Sequence, residues 1–158
     1  MVVTSFRAGE AISAGQAIYV SSVGLAFKAS SATQDQASVA GIAIDSGAAG
    51  DLIRVNADAV YNSYSGLTPG ETQYLSITTS GQVVNYATWA AELVTVGFNP
   101  YQEVIGRAVS SSGVAVELGR PLYVVNPVES LLLETASTFN LDAILLEDGS
   151  RIDLETAS

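Results

Sequence analysis

The sequence predicts an all-β fold: a compact β-barrel or β-sandwich of about eight short strands, followed by an extended C-terminal β-hairpin arm. Segments with alternating or β-branched residues recur between clusters of Gly, Ser, Asn and Asp. Hydrophobic residues make up 48% of the 158 residues and charged residues only 14%, which disfavours disorder. This length suits one domain with an appendage. We therefore predict a domain over residues 1–125 and an arm over residues 126–158.

Eight segments carry the strand pattern, and their short, regular spacing is typical of sandwiches and barrels. In chain order they are residues 17–22, 25–30, 39–44, 51–56, 72–77, 82–87, 103–109 and 113–118. The segment 51–56 shows the alternation best, because Ile53 and Val55 share one face while Leu52 and Arg54 share the other. We therefore expect Ile53 and Val55 to face the core.

The eight strands fall into two sets of four, which predicts an internal duplication. Each set begins with a tight turn before its first strand (SAGQ and TPGE), followed by a glycine hairpin. Four glycines of the first set correspond in order to four of the second: Gly15, Gly24, Gly41 and Gly50 to Gly70, Gly81, Gly106 and Gly113. A β protein with many glycines can also produce such an alignment by chance.

An insertion at residues 88–102 separates two strands of the second set and gathers three aromatic residues. Trp89 and Leu93 are spaced i,i+4, which favours a short helix. Trp89, Phe98 and Tyr101 either form the centre of an interface, where aromatics are enriched, or plug one end of the barrel.

Composition excludes several classes of function. The net charge is −10 with only six basic residues, so we expect neither nucleic-acid binding nor attraction to an anionic membrane. The chain has no cysteine and no histidine, which removes disulfides, thiolate metal sites and histidine-based catalysis. The sequence has no phosphate-binding loop, nucleophile elbow or calcium-loop motif. We therefore expect no enzymatic activity, no cofactor and no metal. A membrane span and a leader peptide are not expected either, since no run of about 20 apolar residues occurs.

The end of the chain is a repeated, apolar and acidic arm. SLLLETAS, AILLEDGS and RIDLETAS follow one another between Ser130 and Ser158. Residues 129–158 hold seven acidic residues and one basic residue, a charge of −6, against −4 for the first 128 residues. Such a segment suits a chain that binds a neighbour.

The Asp148-Gly149 pair predicts a two-residue hairpin turn within the arm. That turn would pair Leu145 with Ile152 and would give the ribbon one wholly apolar face. An isolated two-stranded ribbon is marginal in water, so the face requires a surface: the chain's own barrel, or another subunit. The candidate interface residues are therefore Leu131, Leu133, Leu145, Ile152 and Leu154 in the arm, with Trp89, Phe98 and Tyr101 in the insertion.

The first four fifths of the chain resembles the small β-rich capsid cement, or decoration, proteins of tailed bacteriophages. Residues 8–30, 39–55, 67–84 and 104–118 carry the resemblance, including the strands VAGIAI and GDLIRV. It implies a homotrimeric structural protein of the virion that sits on the outer capsid surface and clamps adjacent major capsid protein subunits. The alternative is a receptor- or glycan-binding module of a phage tail or head fibre. In that case the stacking platforms would be Trp89, Phe98, Tyr101, Tyr61 and Tyr64. The best candidate loop is residues 60–66, which is otherwise an ordinary polar crossover between the two halves.

Overall fold

The computed structural model describes residues 3–126, together with the backbone of two short strands near the C-terminus. The strands are β1 (Val3–Ala8), β2 (Ala17–Val20), β3 (Leu25–Lys28), β4 (Gly41–Ala43), β5 (Leu52–Asn56), β6 (Val60–Tyr61), β7 (Thr72–Leu75), β8 (Val83–Asn85), β9 (Tyr101–Gln102), β10 (Val104–Ala108), β11 (Val114–Val116), β12 (Leu122–Tyr123), β13 (Ile144–Leu145) and β14 (Arg151–Ile152). The helices are α1 (Gln34–Ala37) and α2 (Tyr86–Leu93). All eight predicted strands are present, and the predicted all-β fold is confirmed. No helix in the described part of the chain is long and apolar enough to cross a membrane.

The first half of the chain forms a closed barrel of five strands in the order β1-β3-β2-β4-β5. All neighbours are antiparallel except β1 and β3, which run parallel. The strand β1 closes the barrel because it pairs with β5 on one side and with β3 on the other. Ile53 and Val55 on β5 face the interior as predicted, while Leu52 and Arg54 are exposed.

The second half repeats this order in an open sheet. Its strands run β6-β11-β10-β7-β8, which corresponds strand by strand to β1-β5-β4-β2-β3 of the first half. The registers also correspond: Ala17 lies opposite Ile42 in the first half, and Thr72 lies opposite Arg107 in the second. The internal repeat predicted from the glycines is therefore present in the strand topology.

The turns before β2 and β7 are equivalent in detail. The Gly15 N–H donates to the Ala43 C=O, and the Gly70 N–H donates to the Ala108 C=O, both at 2.8 Å. The two glycines have φ values of +89° and +91°, a region that residues with a Cβ adopt only with strain. Gly50 and Gly113 differ in backbone conformation, because only Gly50 has a positive φ.

Three buried clusters hold the fold together. The first fills the closed barrel around Ile18 and Ile53. The second joins the two halves, because Ile42 of β4 packs in one cluster with Leu75 and Ile105 of the second sheet. Burying an Ile or Leu side chain contributes about 1.5–3 kcal/mol relative to leaving it exposed. The halves therefore share a core and form one body.

The third cluster lies under α2, which begins directly after β8. The Asn85 side chain caps the helix by accepting from the Thr88 N–H at 2.9 Å. Trp89 then packs with Ile77 and Val84. The predicted short helix is confirmed, and it covers the outer part of the second sheet.

Replacing Glu92 by alanine is expected to lower the free energy of unfolding by about 2 kcal/mol. Its carboxylate accepts hydrogen bonds from the Ile77 N–H (2.7 Å), the Ser76 hydroxyl (2.8 Å) and the Thr78 hydroxyl (2.9 Å), and the substitution leaves these donors unpaired. Urea denaturation measures the effect. Glu71→Ala, at an exposed position with no side-chain bond among the described contacts, is the control. Equal midpoints for the two variants would show that the Glu92 bonds contribute nothing.

The strands β13 and β14 form the hairpin predicted in the arm, but the predicted register is wrong. Ile144 pairs with Ile152 and Leu145 pairs with Arg151, one residue away from the expected pairing of Leu145 with Ile152. A shift of one residue exchanges the faces of a strand. The prediction of one wholly apolar face made of Leu145 and Ile152 therefore does not hold.

Candidate interaction surface

A two-stranded ribbon stands apart from the two main sheets at the C-terminal end of the described body. It consists of β9 and β12, with Tyr101 paired to Tyr123 and Leu122 paired to Gln102. The Tyr101 and Tyr123 rings meet edge to face with centroids 5.4 Å apart. The Val124 N–H donates to the Pro100 C=O at 2.9 Å, which fixes the end of the ribbon to the body.

Asn126 ties this ribbon to the end of α2. Its side-chain amide donates to the Leu93 C=O (2.9 Å) and the Val96 C=O (2.7 Å), while its N–H donates to the Asn99 side-chain oxygen (2.7 Å). Asn126 is fully buried. These bonds satisfy one carbonyl at the end of the helix and one beyond it, and they hold the residues around Asn126 against the loop that follows α2. The ordered body therefore includes Asn126, where the arm was predicted to begin.

The segments joined by Asn126 carry a group of exposed apolar residues, which we call the ribbon patch. It consists of Val94, Phe98, Leu122, Tyr123 and Val125, which make up five of the eleven exposed large hydrophobic residues in the described chain. Leu122 is 61% exposed and Val125 is 59% exposed. Single exposed apolar residues are common on proteins, but a group of them marks an interaction surface. The ribbon patch is therefore the best candidate for a binding site in the body.

The structure separates the three aromatic residues that the sequence grouped. Trp89 is only 4% exposed and packs in the third cluster, which fits the packing interpretation rather than the surface one. Phe98 belongs to the ribbon patch, and Tyr101 lies half-buried beside it. Leu131, Leu133 and Leu154 lie outside the described residues. Leu145 and Ile152 occupy strand positions in β13 and β14.

Sequence reasoning missed the main members of the ribbon patch, Leu122, Tyr123 and Val125. The segment from Arg120 to Ser130 reads as a linker because it contains two prolines. The run LYVV between them carries the β-branched and aromatic residues typical of a strand. That run was the available signal for β12.

The tyrosines of the loop at residues 60–66 pack between the two halves. The Tyr61 and Tyr64 rings lie 5.1 Å apart, and the Tyr64 hydroxyl donates to the Gly15 C=O at 2.7 Å. Burial raises the pKa of Tyr64 above its usual value. Tyr61 is buried and Tyr64 half-buried, so these rings act as packing groups of a crossover and offer little face for a sugar.

Charged groups in the described body serve structural roles. Arg54 donates from two nitrogens to the two oxygens of Asp45 at 2.8 and 2.7 Å, and this hydrogen bonding lowers the pKa of Asp45 to about 2. A cavity of about 570 Å³ beside β2 and α1 has Asp35 as the only carboxylate in its lining. Between residues 3 and 126, no group of three or more carboxylates is placed to hold a metal ion.

Glu103 is a carboxyl whose pKa is strongly raised. It lies between β9 and β10, is fully buried, and neither carboxylate oxygen has a hydrogen-bond partner within the described chain. Burial raises the pKa of Glu103 to about 7, an increase that the nearby Gly119 N–H partly offsets. Its backbone C=O accepts from the Leu75 N–H, so the strand pairing holds the side chain inside.

No protein-family model matches this chain, and no curated protein matches it at a significant level. The function of the protein is therefore inferred from its residues and its fold.

Proposed function

We propose that this protein decorates the outer surface of a tailed-phage capsid and clamps adjacent major capsid protein subunits. The observation that carries this proposal is the ribbon patch, an apolar surface at the point where the acidic arm leaves the body. A clamp acts through buried area and shape rather than through chemistry, and a stable interface buries more than about 1,000 Å² in total. We expect the patch and the arm together to supply such an area.

The charge of the protein supports an exterior position. The net charge of −10 opposes contact with packaged DNA. A homotrimer would present three patches and three arms to the shell, so that weak contacts combine through avidity. The compact body with its shared core supplies a rigid platform for these contacts.

Placing aspartate at both Leu122 and Val125 is expected to weaken binding to assembled, expanded capsid shells at least tenfold. The new carboxylates would lose their hydration at the interface. The urea midpoint should stay unchanged, because both side chains already face solvent. Co-sedimentation with shells built from the corresponding major capsid protein measures binding, and unassembled capsid subunits serve as the negative control.

Val23→Asp is the matched control variant for this experiment. Val23 is 76% exposed at the turn between β2 and β3, in the other half of the molecule. Its variant should bind shells as the native protein does. Wild-type binding by the double variant, or equal binding to shells and free subunits, would contradict the proposed function.

A further inference from the structure

The second half lacks the strand pairing that closes the barrel of the first half. Residues Arg7 and Ala8 of β1 pair with Leu25 and Ala26 of β3, and the Gly9 N–H donates to the Ala26 C=O at 2.8 Å. The edge of β3 that faces away from β2 is therefore occupied by β1 and by the residues that follow it, where the Glu10 carboxylate accepts from the Lys28 N–H at 2.8 Å.

The equivalent edge in the second half belongs to β8. Within the described chain β8 pairs with β7 alone. The segment that corresponds to the end of β1 bonds instead to the residues before β11: the Tyr64 N–H donates to the Ser112 C=O (3.1 Å) and the Leu67 N–H to the Ser111 C=O (3.0 Å). It lines the same cavities as Val83, across a gap from β8. This segment is thus held on the β11 side of the sheet.

A groove runs along this edge of β8. Two cavities of about 220 and 370 Å³ share Gln82 and Val83 as lining residues. Gln73 also lines the first cavity; it is only 1% exposed, and its side-chain Oε1 has no hydrogen-bond partner within the described residues. A buried acceptor without a donor costs about 1–3 kcal/mol. The groove therefore offers both a strand edge and an unpaired acceptor to an incoming backbone.

We propose that a second copy of this chain places its β13/β14 hairpin on the β8 edge by β-augmentation. This inference rests on the proposed function, since it identifies how the arms fasten one copy to the next. The hairpin strands each have one described neighbour, and a two-stranded ribbon alone is marginal in water. Adding it to the five-stranded sheet extends the ladder and gives the hairpin a stable partner. Repeated from copy to copy, the contact forms a closed ring such as a trimer.

The connecting chain is long enough for the hairpin to reach a neighbouring copy, and longer than a return to the chain's own edge requires. Asn126 is tied to the end of α2, where Glu92 bonds Ile77, close to the residues that lead into β8. A short extended segment would suffice to return to that edge. The stretch from Asn126 to Ile144 spans up to about 60 Å when extended, whereas a compact domain of this size is roughly 36 Å across.

Cysteine cross-linking tests the proposal on the purified full-length protein, which has no native cysteine. One variant carries Val83→Cys, and a second, tagged variant carries a single cysteine at Ile144, Leu145, Arg151 or Ile152. Paired strands bring residues within about 5.5 Å between Cα atoms, a distance that a disulfide spans. Testing adjacent positions covers both faces of each strand. Mild oxidation of the mixed variants should give a heterodimer for at least one donor position.

Three controls decide the outcome. Val23→Cys mixed with the same donors should give no heterodimer, and each variant oxidised alone reports its homodimer background. A single chain carrying both cysteines reports pairing within one copy. Cross-links confined to that single chain, or no cross-link above background at any donor position, would overturn the proposal. No capsid is present in this assay, so its failure is distinct from a failure of shell binding.

Discussion

Replacing Gly106 by alanine is expected to lower the free energy of unfolding by about 3 kcal/mol or more. A Cβ at this position of β10 would lie 1.9 Å from the Ala115 carbonyl oxygen and 3.1 Å from the Glu117 nitrogen. Both are backbone atoms of the β11 region, so the two strands must separate to admit the methyl group. Since β10 also pairs with β7, the strain falls on the centre of the second sheet.

Gly97→Ala is the control for this prediction, because nothing lies within 4 Å of a Cβ built at Gly97. Urea denaturation should place the Gly106→Ala midpoint well below that of Gly97→Ala, which should match the native protein. The equivalent glycine of the first half, Gly41, would bring a Cβ to 2.5 Å from the Asn56 carbonyl oxygen, and its alanine variant should behave in the same way. Native-like midpoints for both variants would show that the strands are less closely packed than described.

Replacing Glu103 by glutamine is expected to stabilise the protein by about 2–3 kcal/mol at pH 8. The native carboxyl has a pKa of about 7 in the folded state, against an ordinary pKa of 4.5 for a glutamate side chain. The folded state therefore binds a proton between pH 4.5 and 7 that the unfolded chain has released. The resulting contribution to stability is fully present below pH 4.5 and is lost as the pH rises through 7. Glutamine is neutral throughout and removes this dependence.

Urea midpoints measured from pH 4.5 to 8 test the role of Glu103. The native protein should lose stability across this range, and Glu103→Gln should lose markedly less. Glu117→Gln removes a charge at an exposed position nearby, so it corrects for the general effect of net charge. If Glu103→Gln and Glu117→Gln show the same pH profile, the buried carboxyl does not cause the loss.

The strands that alternation predicted are those with one face in the core. The segment 51–56 is such a case, since burial alternates along β5 as the sequence indicates. The strand β1 escaped prediction because five of its six residues are not buried and only Ala8 is. Its place is set by pairing with β3 and β5, which are distant in sequence. Local pattern carries little information about such a strand.

The interaction surface was predicted only in part, for a similar reason. Phe98 and Tyr101 were predicted because aromatic residues are enriched at interfaces. The ribbon beside them is held by hydrogen bonds of Asn126 and Pro100 to residues distant in sequence, and no local pattern reveals such contacts. The hairpin at the end of the chain was predicted, and its register was not. An Asp-Gly pair suits both a two-residue turn and a longer loop with glycine last, so the dipeptide alone leaves the register undetermined.

The order in which the strands of the first half occur has a consequence for synthesis of the protein. Every pairing partner in the closed barrel lies between Val3 and Asn56. The complete circle of hydrogen bonds can therefore assemble before the whole second sheet has left the ribosome, since chains emerge from the N-terminus. The second sheet can then pack its apolar face against the completed barrel, which contributes Ile42 to the shared core.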